Sequence, residues 1–153
     1  MNDIITVLFP FGILIGTIVL CLLLEAFNTG KWLYGPVTII GAFASLVILI
    51  LSASQDDIIH VFGDPNNLLD VTKTPGLLIF DNFYRFFSMI FLIVLILVTV
   101  SSIDFIRPER NQGIYYSLLI FATIGMMLVS AANDLLMIFV AWELGSLPVY
   151  SLA

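Results

Sequence analysis

Glu143 stands nine residues beyond Asp134, in a run from Leu135 to Ala153 that holds no other charged residue. If that run is a helix crossing a bilayer, a rise of 1.5 Å per residue puts the carboxyl group about 14 Å along it, near the midplane of a hydrocarbon core roughly 30 Å thick. An ionised side chain at that depth costs about 2.5–3.5 kcal/mol on insertion scales, and such residues face a bundle interior or a water-filled cavity. Proton transfer is the chemistry the position suits. Withdrawal from water favours a neutral carboxyl group and a nearby cation favours the charged one, so a group balanced between the two can load and release a proton.

Three neighbours support this reading. Helical spacing places Ser146 at i+3 and Tyr150 at i+7 from Glu143, which predicts hydroxyl groups on the same helix face. Pro148 has no N–H, so the carbonyl of Leu144 loses its helical partner and a kink is expected beside the glutamate. A freed carbonyl, two hydroxyls and a carboxyl group would make a site that water can enter. The alternative is a protonated glutamate hydrogen-bonded across helices that only holds the bundle together.

Other polar residues make weaker cases. Asp81 and Arg85 form an i,i+4 pair at a helix start, a pattern typical of interfacial anchoring. Tyr116, Thr123 and Ser130 recur every seven residues and could line the same cavity as Glu143 or form a seam of interhelical hydrogen bonds. His60 falls in an acidic loop and reads as solvated. Trp32, Tyr34, Tyr115 and Tyr116 lie near run ends, where aromatic residues anchor at the interface. Cys21 is the sole cysteine, which leaves no disulfide framework, no CxxC, and no iron-sulfur or zinc ligand set. On this reading the chain holds no metal or redox cofactor of its own.

The elements that must position these residues follow from bulk composition. Of 153 residues, 61% are hydrophobic and 10% charged, and the mean hydropathy is +1.14. Soluble domains are roughly 45–50% apolar and about 25% charged, so the expected solvent is lipid. The expected fold is all-α, a polytopic bundle of about five transmembrane helices spanning residues 4–27, 32–53, 79–103, 114–132 and 135–153 as a single domain, with residues 54–78 as an extramembrane loop.

The net charge of −6 comes from eleven acidic and five basic residues, most of the acids lying between apolar runs, which argues against nucleic-acid binding. The first run follows Asp3 instead of a basic segment and is too long for a signal sequence, so it reads as a retained helix. Lys31 in the first connection, with Arg107 and Arg110 in the third, places those loops on the cytoplasmic side and the N-terminus outside; Lys73 in the second loop opposes this. Gly12 and Gly16 form a GxxxG pattern, and Thr38, Ser45 and Ser52 recur every seven residues near Gly41 and Ala42; both stripes suggest ordinary close packing of helices.

Gly113-Ile-Tyr-Tyr-Ser-Leu-Leu-Ile-Phe-Ala-Thr-Ile-Gly125-Met-Met-Leu, then Ser130-Ala-Ala-Asn133-Asp134-Leu-Leu, then Trp142-Glu143-Leu-Gly-Ser146-Leu-Pro148-Val-Tyr150-Ser-Leu-Ala closely resemble the antiporter-like subunits of respiratory complex I. The likeness is greatest to the N subunit of NADH-quinone oxidoreductase, with the run E-L-x-S-L-P-x-Y as its discriminating part. Phe80-Asp81-Asn-Phe-Tyr-Arg-Phe-Phe resembles the start of that family's third helix. The resemblance is strong from Phe80 onward and weak before it.

The resemblance implies that Glu143 is a proton-pathway residue pairing with a lysine on a later helix. It also implies a chain of about fourteen helices, of which these five are the N-terminal portion. Quinone, flavin and iron-sulfur clusters would belong to partner subunits, and the setting would be a prokaryotic plasma membrane or an equivalent energy-converting membrane. Two relatives of the same fold stay open: an archaeal dehydrogenase for a reduced deazaflavin coenzyme, and a multisubunit sodium/proton antiporter. A scaffold that handles no protons is a third reading.

Overall fold

The computed structural model describes residues 2–27, 33–52, 59–61, 77–106 and 112–152. Five helices run as α1 (Asn2–Ala26), α2 (Tyr34–Ser52), α3 (Asn82–Ile106), α4 (Gln112–Ala131) and α5 (Leu135–Leu152), with two short strands, β1 (Ile59–Val61) and β2 (Leu78–Phe80), between α2 and α3. All five helices are long and apolar enough to cross a membrane. The chain is an integral membrane protein of the all-α class. Trp32, the first connection, most of the acidic second loop, and Arg107 with Arg110 lie outside the described residues.

The long second loop returns to the bundle as a strand pair. Ile59–Val61 has β-branched residues on either side of His60, Leu78–Phe80 is bulky and apolar, and the two pair antiparallel with Ile59 opposite Phe80. Residues 79–80 were expected to open the third helix. They instead belong to β2, and the helix begins after Asp81, whose Oδ1 accepts the Tyr84 N–H at 2.9 Å in the manner of an N-cap. Asp81 and Arg85 therefore do more than anchor. Asp81 sets the start of α3, while the Arg85 guanidinium is buried and donates to Asn82 Oδ1 at 3.4 Å.

Lipid tails are as apolar as leucine, so helices associate here through close packing and internal hydrogen bonds. Helices α1 to α4 form a four-helix core in which α1 packs on α2 and α4, and α3 on α2 and α4; the principal contact of α5 is with α4. On α1 the buried row is Pro10, Leu14, Thr17 and Cys21. That row excludes the GxxxG pair: Gly12 and Gly16 are exposed, and a Cβ on either would meet nothing within 4 Å among the described residues. The close approach is made from α2, where a Cβ on Gly41 would run into the Thr17 side chain. Thr38 and Ser45 are fully buried on that face; Thr38 Oγ1 donates to the Tyr34 carbonyl at 2.9 Å and Ser45 Oγ to the Pro10 carbonyl at 3.2 Å.

The two ends of the bundle are built differently. At the end holding the strands, Phe11, Phe80 and Tyr84 cluster, with Phe80 edge-on to Tyr84 at 4.8 Å between centroids. The Asn133 N–H donates to the Leu77 carbonyl at 3.1 Å, which ties β2 to the turn between α4 and α5. At the other end, where α1 stops and α2 and α4 start, polar side chains meet instead.

Candidate functional site

The position of Glu143 follows from how α5 sits on α4. The buried residues of α5 are Ala141, Gly145 and Pro148, one row at i, i+4 and i+7. Gly145 faces Gly125 of α4, and a Cβ on Gly125 would stand 2.5 Å from the Gly145 Cα, so the two backbones touch with no side chain between them. Glu143 lies off that row and is exposed. Its carboxyl group is therefore turned away from the four-helix core, on the uncovered side of the last helix.

The residues expected around Glu143 are placed as follows. Ser146 Oγ donates to the backbone carbonyl of Glu143 at 3.2 Å, so the hydroxyl serves the helix and not the carboxylate. Tyr150 is 75% exposed. Pro148 is buried toward α4, and α5 is helical from Leu135 through it to Leu152. Ser146 and Tyr150 do share a groove of about 380 Å³ with Phe91, Met126, Val129 and Trp142, and Glu143 stands beside this groove without lining it.

Tyr116, Thr123 and Ser130 do not line this groove either. Tyr116 and Thr123 are buried in the core, Thr123 Oγ1 donates to the Leu119 carbonyl at 3.0 Å, and Ser130 Oγ to the Met127 carbonyl at 2.7 Å. The Thr123 and Ser130 hydroxyls each bond back along their own helix, which satisfies them without a partner helix. It is Gly125, Met126 and Val129 that α4 turns toward the groove.

A second polar cluster, not anticipated from the sequence, gathers where α1 ends. Glu25 Oε2 accepts the Gly113 N–H of α4 at 3.0 Å, and the Tyr34 hydroxyl of α2 lies against the same carboxylate. Cys21 Sγ is 3.8 Å from Thr38 Oγ1, and the Tyr116 hydroxyl lies against Ser102 of α3. Tyr34 and Tyr116, expected at the interface, are only 3% exposed and point inward to these partners. The available signal was Glu25 itself, an acid inside the first apolar run. Among the described residues no group of three or more His, Cys, Asp or Glu is placed to hold a metal ion.

The fold and the acid in its last helix define the class, a polytopic helical membrane protein with an ionisable residue inside a span. The particular resemblance comes from its relatives. The chain is 30% identical over 127 residues to NADH-quinone oxidoreductase subunit N 2 of Koribacter versatilis, covering 82% of this chain and 24% of that protein. It is 43% identical over 84 residues to subunit N of the same enzyme from Trichlorobacter lovleyi, 54% of this chain and 17% of the relative. Over 73 residues it is 41% identical to F(420)H(2) dehydrogenase subunit N of Methanosarcina mazei, 48% of this chain and 15% of the relative. The chain thus matches part of an N subunit, spanning between 15% and 24% of the length of these three relatives. No protein-family model matches it.

Proposed function

We propose that this chain is part of the N-type membrane subunit of a complex-I-like NADH-quinone oxidoreductase, in which electron transfer elsewhere is coupled to proton movement through Glu143. The observation that supports this best is the match to N subunits, joined to a carboxyl group at mid-span on the uncovered face of α5. Facing lipid alone, the charged form would carry a cost of about 2.5–3.5 kcal/mol. A cation on a covering helix would remove that cost, and exchange with that cation is what moves the proton. Flavin, iron-sulfur clusters and quinone sit in partner subunits, consistent with a chain whose only cysteine is Cys21. The N-terminus faces outward, since the basic residues Lys31, Arg107 and Arg110 fall in the first and third connections.

The archaeal relative favours a second reading of the electron donor. Its name makes a reduced deazaflavin coenzyme the substrate of the enzyme to which it belongs, and on this reading the present chain serves an enzyme with the same donor. The test of Glu143 does not depend on that choice. In the assembled complex, Glu143→Gln keeps size and hydrogen-bonding capacity but cannot ionise. We expect at least a twofold drop in protons moved per electron with little change in the amount of complex; an unchanged ratio sinks the role given to Glu143.

A further inference from the structure

The Glu25 cluster lies at the opposite end of α4 from the turn that leads into α5, and α4 is what connects them. Gly113 is the second residue of α4, so its N–H is one of the four at a helix start that have no partner within the helix. Glu25 supplies that partner from another helix, through a carboxyl oxygen that accepts the Gly113 N–H. The fit is close: a Cβ on Gly113 would stand 2.9 Å from both the Cys21 carbonyl oxygen and Glu25 Oε2. The Tyr34 hydroxyl against the same carboxylate adds α2 to the junction. Three helices are thus pinned through one side chain.

Twelve residues on, about 18 Å along the helix, Gly125 meets Gly145 backbone to backbone. Gly145 is two residues from Glu143. A contact without intervening side chains leaves α5 no slack, so a shift of α4 is passed to α5 instead of being absorbed by rotamer changes.

We propose that Glu25 is a positioning residue for the Glu143 site: by holding the start of α4 through the Gly113 N–H, it sets where α4 places α5 and therefore where Glu143 meets the group that exchanges its proton. The inference rests on the proposed role of Glu143. It requires an acceptor oxygen at Glu25, not a titrating group. Gln retains that oxygen at the same reach, Ala removes it, and Asp draws it back by one methylene.

The test uses the full complex in native membrane vesicles, with protons moved per electron and the amount of assembled complex measured for Glu25→Ala, Glu25→Gln and Glu143→Gln. Glu25→Ala is expected to lower the ratio at least twofold in the complexes that assemble, with Glu25→Gln within about a quarter of the wild-type ratio. A wild-type ratio in Glu25→Ala overturns the proposal, whatever happens to the amount of complex, because a purely structural role changes only that amount. Equal loss in Glu25→Gln and Glu25→Ala also overturns it, since the charge and not the acceptor would then matter. If Glu25→Ala leaves no complex, Glu25→Asp decides: a lowered ratio supports the positioning role and a wild-type ratio refutes it. A ratio that falls with Glu143→Gln but not with Glu25→Ala leaves the proton role of Glu143 standing and removes this inference alone. An unchanged ratio in Glu143→Gln removes both.

Discussion

Helices α4 and α5 are consecutive, similar in length and both apolar enough to cross a membrane, yet half of the membrane span of α4 is buried and only 11% of that of α5. Hydropathy cannot account for the difference, because in lipid an apolar side chain gains nothing from leaving the solvent. What separates the two is the number of faces that can be approached closely. Around its circumference α4 carries Gly113, Ala122, Thr123 and Gly125 among its buried residues, and it meets α1, α3 and α5. Its neighbour α5 has one such row, Ala141, Gly145 and Pro148, and its other faces carry Trp142, Phe139 and Leu136, all well exposed. The helix with the mid-span acid is the one the core holds on a single side.

The comparison can be broken most sharply by cutting back one side chain on each helix. Ile120 is fully buried on α4, and Ile120→Ala is expected to cost about 2–5 kcal/mol through lost packing, whereas Leu136→Ala on the open side of α5 should stay within about 0.5 kcal/mol. Denaturant titration in mixed micelles measures both, and equal losses would mean that α5 is as embedded as α4. A smaller effect is expected at the glycines. Gly125→Ala should destabilise by about 1–3 kcal/mol, because the new methyl meets Gly145 backbone, while Gly12→Ala should be neutral or stabilising by about 0.5–1 kcal/mol, since nothing described stands within 4 Å of its Cβ. A penalty at Gly12 would place a helix partner on the outer face of α1. A smaller loss than at Gly125 is expected for Ser45→Ala, which removes the bond to the Pro10 carbonyl between α1 and α2 and should cost about 0.5–1.5 kcal/mol by the same titration.

Much of the architecture was legible from residue order. Five apolar runs gave five helices with ends within a few residues, and the tight turn at Asn133 and Asp134 does make α4 and α5 neighbours. The start of α3 was misplaced because only Asp81 and Asn82 separate the apolar Leu78-Ile-Phe80 from the helical run, and its strand partner Ile59–Val61 lies far back in the chain. Pairing over that separation leaves no local mark. The GxxxG pair failed for a related reason: small spacing shows that a face can be approached, not that it is, and the row through Leu14 and Thr17 took the contact. Tyr34 and Tyr116 read as interfacial anchors because both fall near run ends. Their hydroxyls point inward because Glu25 and Ser102 wait there, on helices whose neighbourhood the sequence does not state.

By itself the sequence determined the solvent, the number of spans and the depth of Glu143, since each depends only on composition and on a fixed rise per residue. Tertiary structure alone decided which way that residue faces. Apolar side chains give a helix no preferred side in lipid, so the rotation of α5 is set by where backbones can touch. Here the touching pair is Gly125 and Gly145, and their contact turns Glu143 outward while the Glu25 bond to Gly113 holds the far end of α4 in place.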